Sequence, residues 1–176
     1  MNDTKQVAKD LLGKTLIRKI GTQILSGVIT ETEAYKGKND PASHASRKKT
    51  ERNKIMFGEV GVAYVYFTYG MHYCFNVVAK KKNDKAGAVL IRAIQPQQGI
   101  NHMIKNRKTD IISTLTNGPR KLTQAMQIKL KQYNHDLTKK SSLFIIDSEK
   151  PNKISAKPRV GIKIGVDKLW NFSYKI

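Results

Sequence analysis

Cysteine is nearly absent from this chain of 176 residues, which contains a single one, Cys74. One thiol cannot form a disulfide within the chain, and it cannot build the cysteine-rich tetrahedral site of a zinc domain. Because Cys74 lies in an apolar stretch, it is typical of a buried structural cysteine. The single cysteine indicates a protein of a reducing compartment. We also expect no metal site and no cofactor.

Long apolar runs are also missing from the sequence. No stretch approaches the roughly 18 apolar residues that a membrane-spanning helix needs. Residues 1–5 lack the basic and then apolar plan of a signal peptide. We expect an intracellular protein without a membrane partner, in the cytoplasm or nucleoid, or in the nucleus if the source is eukaryotic. The length fits one domain over residues 1–176, and we expect a monomer.

Acidic residues are scarce relative to basic ones. Lysine and arginine total 33 against 13 aspartates and glutamates, which gives a formal net charge of +20. A surplus of this size favours binding to a polyanion, and nucleic acid is the default partner. A lysine-rich surface can also serve solubility alone, so the charge leaves two interpretations open.

Aromatic residues make up 7% of the chain, yet four of the seven tyrosines lie within residues 56–76. Two runs rich in β-branched and aromatic residues, 62–67 and 72–79, flank a short segment that contains Gly70. The pattern predicts a β-hairpin that is apolar on both faces. Tyr69 lies at the predicted turn, where its ring could stack on a partner or fold back on the hairpin.

Two of the five glutamates, Glu31 and Glu33, occur in one predicted strand over residues 23–35. Residues two apart on a strand share a face, so Ile29, Glu31, Glu33 and Tyr35 are predicted to point the same way. A carboxylate repels the phosphates that this basic protein is suited to bind. These two carboxylates therefore either have a chemical role or lie on a solvated strand face, where they pair with lysines.

A buried-type run at residues 88–94 is interrupted by Arg92. A buried arginine needs an acidic partner, and Glu33 or Glu31 is the natural candidate. An arginine beside Glu33 would favour the ionised carboxylate, which is the form that acts as a base. The alternative is that Arg92 lies at a strand edge and reaches solvent.

The polar segment at residues 36–53 is rich in turn formers and contains His44. Because Met56 and Phe57 can anchor its end, we predict an ordered loop of the active-site type rather than a disordered linker. A histidine in such a loop can be incidental or functional, and spacing alone leaves both interpretations open.

Together these residues fit an enzyme that acts on a nucleotide extruded from a duplex, because they combine positive charge, stacking aromatics and a carboxylate. A chain without Cys-x-x-Cys ligands does not fit zinc-dependent deamination. Hydrolysis of an N-glycosidic bond needs a general base for water, stabilisation of a sugar cation and a pocket for the leaving base. Glu33 could supply the first two.

Eight segments resemble, in order, the alkyladenine (3-methylpurine) DNA glycosylase family. They are residues 31–35, 43–44, 56–58, 64–71, 76–78, 89–93, 117–122 and 158–162. The resemblance implies an α+β fold, a single mixed domain with a curved antiparallel sheet, surrounding helices and a protruding hairpin that enters the minor groove of DNA. Tyr69 matches the side chain that fills the vacated position in the base stack.

The resemblance also implies an activity, which is the release of damaged purines from double-stranded DNA in base excision repair. The expected substrates are 3-methyladenine, 7-methylguanine, hypoxanthine and ethenoadenine. Glu33 matches the base that activates water, and Arg92 and the backbone of Val160 match the groups that help to hold this water.

The same resemblance implies a pocket for the flipped base. Tyr35, His44 and Tyr66 match the side chains that sandwich and hydrogen-bond this base. Asn76 matches the residue that obstructs the 2-amino group of normal guanine.

The chain departs from the family pattern at three positions in or near these segments. Glu51 stands where a proline is common. Arg120 stands where a glycine is common, and Asn171 stands between Trp170 and Phe172 where an arginine is expected. Two other functions also remain open. One is a glycosylase with lyase activity through a lysine amine, and the other is a non-catalytic minor-groove binder that uses Tyr69 as a wedge.

Overall fold

The computed structural model describes residues 2–68 and 70–175. The helices are α1 (Thr4–Asp10), α2 (Ile100–Arg107) and α3 (Pro119–Ala125), and 3-10 turns cover Lys54–Phe57, Ile112–Thr114 and Leu130–Gln132. The strands are β1 (Thr15–Ile20), β2 (Gln23–Lys36), β3 (Ala63–Thr68), β4 (His72–Val78), β5 (Gly87–Gln98), β6 (Leu143–Ile146), β7 (Ser155–Lys157) and β8 (Asn171–Ser173). In these residues no helix is long and apolar enough to cross a membrane.

The strands form one antiparallel sheet that curls into a half-barrel, which confirms the predicted fold class. Six strands follow the order β3-β4-β5-β2-β1-β6, and β8 pairs with both β2 and β7. The long β2 contacts β5 along one edge, and on its other edge it pairs first with β1 and then with β8. The second half of β2 is therefore held between β5 and β8.

The pairing of β2 with β5 has three register irregularities, and two of them, at Thr30 and Arg92, affect the glutamates of β2. Ile29 pairs with Ile94 and Glu31 with Ala93, which leaves Thr30 as an extra residue on β2. An extra residue reverses the alternation of side chains between the faces of the sheet. The prediction that Ile29 shares a face with the glutamates is therefore wrong, and Ile29 is buried in the main core instead.

The second bulge concerns Arg92. Glu31 pairs with Ala93 and Thr32 with Ile91, so Arg92 is the extra residue on β5. Bulges re-aim side chains out of the regular pleat. This irregularity directs the Arg92 side chain toward the glutamates of β2.

The predicted hairpin strands are present as β3 and β4, which pair in register from Ala63 opposite Val77 to Thr68 opposite His72. The first half of β3 is covered on both faces, as the alternating pattern predicts, whereas Phe67 near its end is 44% exposed. Val65 packs in the main core under the helices, whereas Tyr64 packs in a second cluster beneath the loop at residues 36–53. Tyr69 lies outside the described residues, and its wedge role stays a prediction.

Candidate active site

The Glu33 carboxylate is the centre of the candidate site. Its side chain is completely buried, and it accepts three hydrogen bonds. The backbone N–H of Val160 and the amide Nδ2 of Asn171 donate to Oε1 over 2.7 and 2.9 Å. The hydroxyl of Tyr35 donates to Oε2 over 2.8 Å. These donors provide the compensation that a buried carboxylate requires.

Arg92 contacts both glutamates of β2, which agrees with the predicted ion pair. Its Nε lies 3.2 Å from Glu31 Oε1, and its Nη1 lies 3.5 Å from Glu33 Oε1. The Arg92 side chain is 12% exposed. Lys157 Nζ approaches Glu31 Oε1 to 3.5 Å from a half-exposed side chain. Two carboxylates therefore share one buried guanidinium and one ammonium at the rim.

A cavity of about 390 Å³ lies beside this cluster. Six residues predicted from the sequence to act at the site contribute to its wall or mouth, namely Tyr35, His44, Tyr66, Asn76, Arg92 and Val160. Glu33 lies behind this wall, and its hydrogen bonds to Tyr35 and Val160 link it to the cavity. The volume is within the range of small-molecule sites.

A larger groove of about 910 Å³ lies elsewhere, along residues 148–153 and the end of the described chain. It contains Glu149 and three lysines but none of the predicted site residues. A large volume does not by itself indicate an active site. We therefore place the candidate active site at the smaller cavity, beside the buried carboxylate of Glu33.

Aromatic side chains form one wall of the smaller cavity. The His44 and Tyr66 rings meet edge to face with centroids 4.7 Å apart, and Tyr64 lies 5.1 Å from Tyr66. His44 Nδ1 is 3.0 Å from the Tyr64 hydroxyl, and either atom can donate. Burial and the nearby Arg52 lower the pKa of His44 to about 4. The imidazole is therefore neutral near pH 7.

Two phenol groups at the cavity also remain protonated. Burial raises the pKa of Tyr66, and the neighbouring Cys74 adds to the effect. Burial, followed by the charge of Glu33, raises the pKa of Tyr35. Both hydroxyls can therefore donate hydrogen bonds across the usual pH range.

Asn76 is fixed at the cavity by its own strand pairing. It lies on β4 opposite Tyr64 of β3, and its Nδ2 donates to the Tyr64 carbonyl over 3.0 Å. The side chain is buried and lines the cavity. This bond holds the amide group in one orientation, which suits a residue that discriminates between ligands by shape.

A second buried ion pair, which the sequence interpretation missed, connects the loop to the turn at Val160. Arg159 donates to both oxygens of Asp40 over 2.7 Å and to the carbonyl of Ala34 over 3.0 Å. Its guanidinium also lies 4.7 Å from the centre of the Tyr35 ring. Arg159 directly precedes Val160, so the pair fixes the backbone N–H that donates to Glu33.

Asn171 was also missed as a site residue, although the sequence singled it out as a departure from the family pattern. Its contact with Glu33 depends on the pairing of β8 with β2, which joins residues 138 positions apart. No local pattern reveals such pairing. The signal that could have identified Asn171 is a polar residue between two aromatic ones, Trp170 and Phe172.

Comparison with known proteins finds a family and several relatives that match most of the chain. Residues 1–175 match the model of a family described as "Methylpurine-DNA glycosylase (MPG)". Three relatives carry the name "Putative 3-methyladenine DNA glycosylase". The protein of Prosthecochloris aestuarii is 49% identical over 95% of this chain and 81% of its own length. The one of Carboxydothermus hydrogenoformans is 48% identical over 98% and 91%, and that of Clostridium botulinum is 43% identical over 98% and 91%.

Proposed function

This chain belongs to the methylpurine-DNA glycosylase family, and from that premise we propose that Glu33 activates the water that releases a damaged purine. Membership of this family makes the chain a DNA N-glycosylase, a hydrolase of base excision repair. We propose that residues 1–176 act as one glycosylase domain and as a monomer inside the cell. Its substrates are 3-methyladenine, 7-methylguanine, hypoxanthine and ethenoadenine in double-stranded DNA.

The observation that carries this proposal is the set of donors around Glu33. A carboxylate has about four lone-pair positions. Oε1 accepts from Val160 and Asn171 and faces Arg92, whereas Oε2 accepts from Tyr35. Oε2 therefore retains a lone pair that can accept a hydrogen bond from water. A water held there would lose its proton to Glu33 as it attacks.

The reaction then follows from the charge of this carboxylate. The water oxygen bonds to the anomeric carbon of the deoxyribose, and the N-glycosidic bond breaks with its electrons passing to the base. Glu33 accepts the water proton, and before that step its negative charge stabilises the cationic sugar. A cationic methylated purine leaves as a neutral base, whereas a neutral lesion such as hypoxanthine leaves as an anion that takes up a proton from Glu33 or solvent. The products are a free purine and an abasic site in an otherwise intact strand.

We propose that the aromatic wall holds the flipped purine. The rings of Tyr35, His44 and Tyr66 offer stacking surface and hydrogen-bonding groups at the cavity. Because His44 is neutral, it adds no positive charge that would repel a cationic methylated purine. Asn76 would obstruct the 2-amino group of guanine. Tyr69, which lies outside the described residues and follows β3 in the sequence, would enter the minor groove and fill the vacated stack.

Product analysis tests this proposal. Duplex DNA that contains one hypoxanthine, and separately methylated DNA, is incubated with the protein, and released bases are separated by chromatography. We expect free purine and a strand that breaks only after alkali treatment. Covalent trapping of protein on DNA by borohydride would instead indicate lysine-based lyase chemistry. Absence of release from both substrates would indicate a non-catalytic minor-groove binder.

A further inference from the structure

Asn171 lies between Glu31 and Glu33, and the proposed mechanism gives it no role. It begins β8 and pairs directly with Glu33 of β2, so the two side chains emerge on the same face of the sheet. The Asn171 side chain has no exposed surface. Its environment is therefore set by the protein and not by solvent.

The amide group of Asn171 bridges both carboxylates. Nδ2 lies 2.7 Å from Glu31 Oε1 and 2.9 Å from Glu33 Oε1, so each of its two hydrogens can serve one acid. The reverse orientation would point the amide oxygen at two acceptors, which excludes it. The observed orientation leaves Oδ1 buried without a protein partner among residues 2–68 and 70–175. An unpaired buried oxygen is destabilising, so the two donated hydrogen bonds, and not Oδ1, determine the orientation of this amide.

This arrangement determines which oxygen of Glu33 is occupied. Asn171 and Val160 both donate to Oε1, on the side where Arg92 also lies. With Oε1 held in this way, the carboxylate cannot rotate without breaking two hydrogen bonds. Oε2 is thereby fixed beside Tyr35, which lines the cavity.

Glu31 belongs to the same arrangement, because it contacts Asn171 and Arg92, which are both partners of Glu33. Its Oε1 accepts from Asn171 and lies 3.2 Å from Arg92 Nε. It thus anchors both the amide and the guanidinium that contact Glu33. Asparagine achieves this bridging without a further positive charge beside the base, whereas an arginine at position 171 would add one.

We propose that Asn171, supported by Glu31, is a positioning residue that fixes the Glu33 carboxylate so that Oε2 is the oxygen that holds the nucleophilic water. The inference rests on the proposed function, because it concerns Glu33, the proposed general base. In this inference the neutral amide of Asn171 sets the orientation of the Glu33 carboxylate.

The test compares Asn171→Leu with Phe172→Leu by single-turnover base release at saturating enzyme. Leucine has nearly the shape of asparagine but lacks the amide. Phe172→Leu is the matched control, since Phe172 lies on the same strand, is 3% exposed and packs in the main core. Affinity for lesion-containing duplex and the thermal midpoint are measured for each protein.

We expect Asn171→Leu to slow release by about tenfold to 100-fold, because a misplacement of about 1 Å can cost ~100-fold. Lesion-DNA affinity should stay within about twofold of wild type, since Asn171 does not line the cavity. Phe172→Leu should retain the wild-type rate even with a lower midpoint. Glu31→Gln should slow release as well, and adding Asn171→Leu to it should have less effect than in the wild type, because both act through Glu33.

Two results would overturn the inference while the wild type remains active. One is an Asn171→Leu rate equal to wild type, and the other is an equal loss in Phe172→Leu at the same midpoint. If Asn171→Leu does not fold, Glu31→Gln carries the test, and a wild-type rate in that variant would count against the inference. A wild type that releases no base would instead refute the proposed function itself.

Discussion

His44 lines the cavity that we propose to hold the flipped purine. Burial and Arg52 lower its pKa to about 4, below the value of 6.5 expected for a free histidine. Between these values the unfolded chain binds a proton that the folded protein does not. The free energy of unfolding should therefore rise with pH across this window and fall as the solution is acidified.

The measurement is the urea midpoint at several pH values between about 4 and 6.5, for wild type and for His44→Gln. We expect the wild type to lose more stability on acidification than the variant. The difference should be modest, because the ring is partly exposed and water weakens the effect of burial. Identical slopes for the two proteins would show that His44 is not held neutral by the fold.

For single residues, the sequence was informative where a buried charge requires a partner of opposite charge. Arg92 interrupts an apolar run, and an arginine in such a run needs an acid, so Glu31 and Glu33 could be predicted as its partners. Asp40 and Arg159 also form a buried pair, but both lie in polar segments. Nothing local distinguishes them from the many exposed charges of this chain.

The turn that contains Val160 brings the C-terminal region into contact with the Glu33 carboxylate. Val160 is half-exposed, and the following Gly161 has a positive φ of 76°. Proline suits the residue before such a glycine in a tight turn, and it removes the backbone N–H. Val160→Pro should therefore delete the 2.7 Å hydrogen bond to Glu33 Oε1 with little other change.

We expect Val160→Pro to slow single-turnover base release by about tenfold or more, since hydrogen bonds to charged groups contribute about 1.5–3 kcal/mol. Val160→Ala keeps the N–H and should stay near the wild-type rate. If both variants react equally fast, the backbone donor at this turn does not assist Glu33.

The loop at residues 36–53 is held to the sheet by the Asp40–Arg159 pair, whose two side chains have no exposed surface. Arg159→Met would leave a buried carboxylate without its partner and should lower the free energy of unfolding by about 3–5 kcal/mol. Chemical denaturation measures this loss. Lys54→Met provides the control, because the pair of Lys54 with Glu51 is exposed and should matter little. Similar effects of the two substitutions would contradict the role assigned to the buried pair.

Element positions were easier to predict than their irregularities. Alternation and turn residues gave β2 and the β3–β4 strands almost at their observed limits. The bulges at Thr30 and Arg92 could not be predicted, because they arise from how β2 and β5 fit together. The error at Ile29 follows directly from the first of these bulges.

The molecule as a whole carries a formal net charge of +20, which should dominate its contact with undamaged DNA. Each phosphate that a lysine or arginine neutralises adds about 0.9 to the slope of log affinity against log salt concentration. We expect affinity for undamaged duplex to fall steeply between about 50 and 200 mM salt. A titration by fluorescence anisotropy measures the slope, and a flat response would refute the electrostatic argument.

The central claim concerns Glu33, and one comparison tests it most directly. Wild type and Glu33→Gln are each mixed in excess with duplex DNA that contains hypoxanthine or a methylated purine, and base release and DNA binding are measured together. The account predicts release by the wild type and a loss of at least about 100-fold in the variant, with binding retained. Release by Glu33→Gln at the wild-type rate would contradict it.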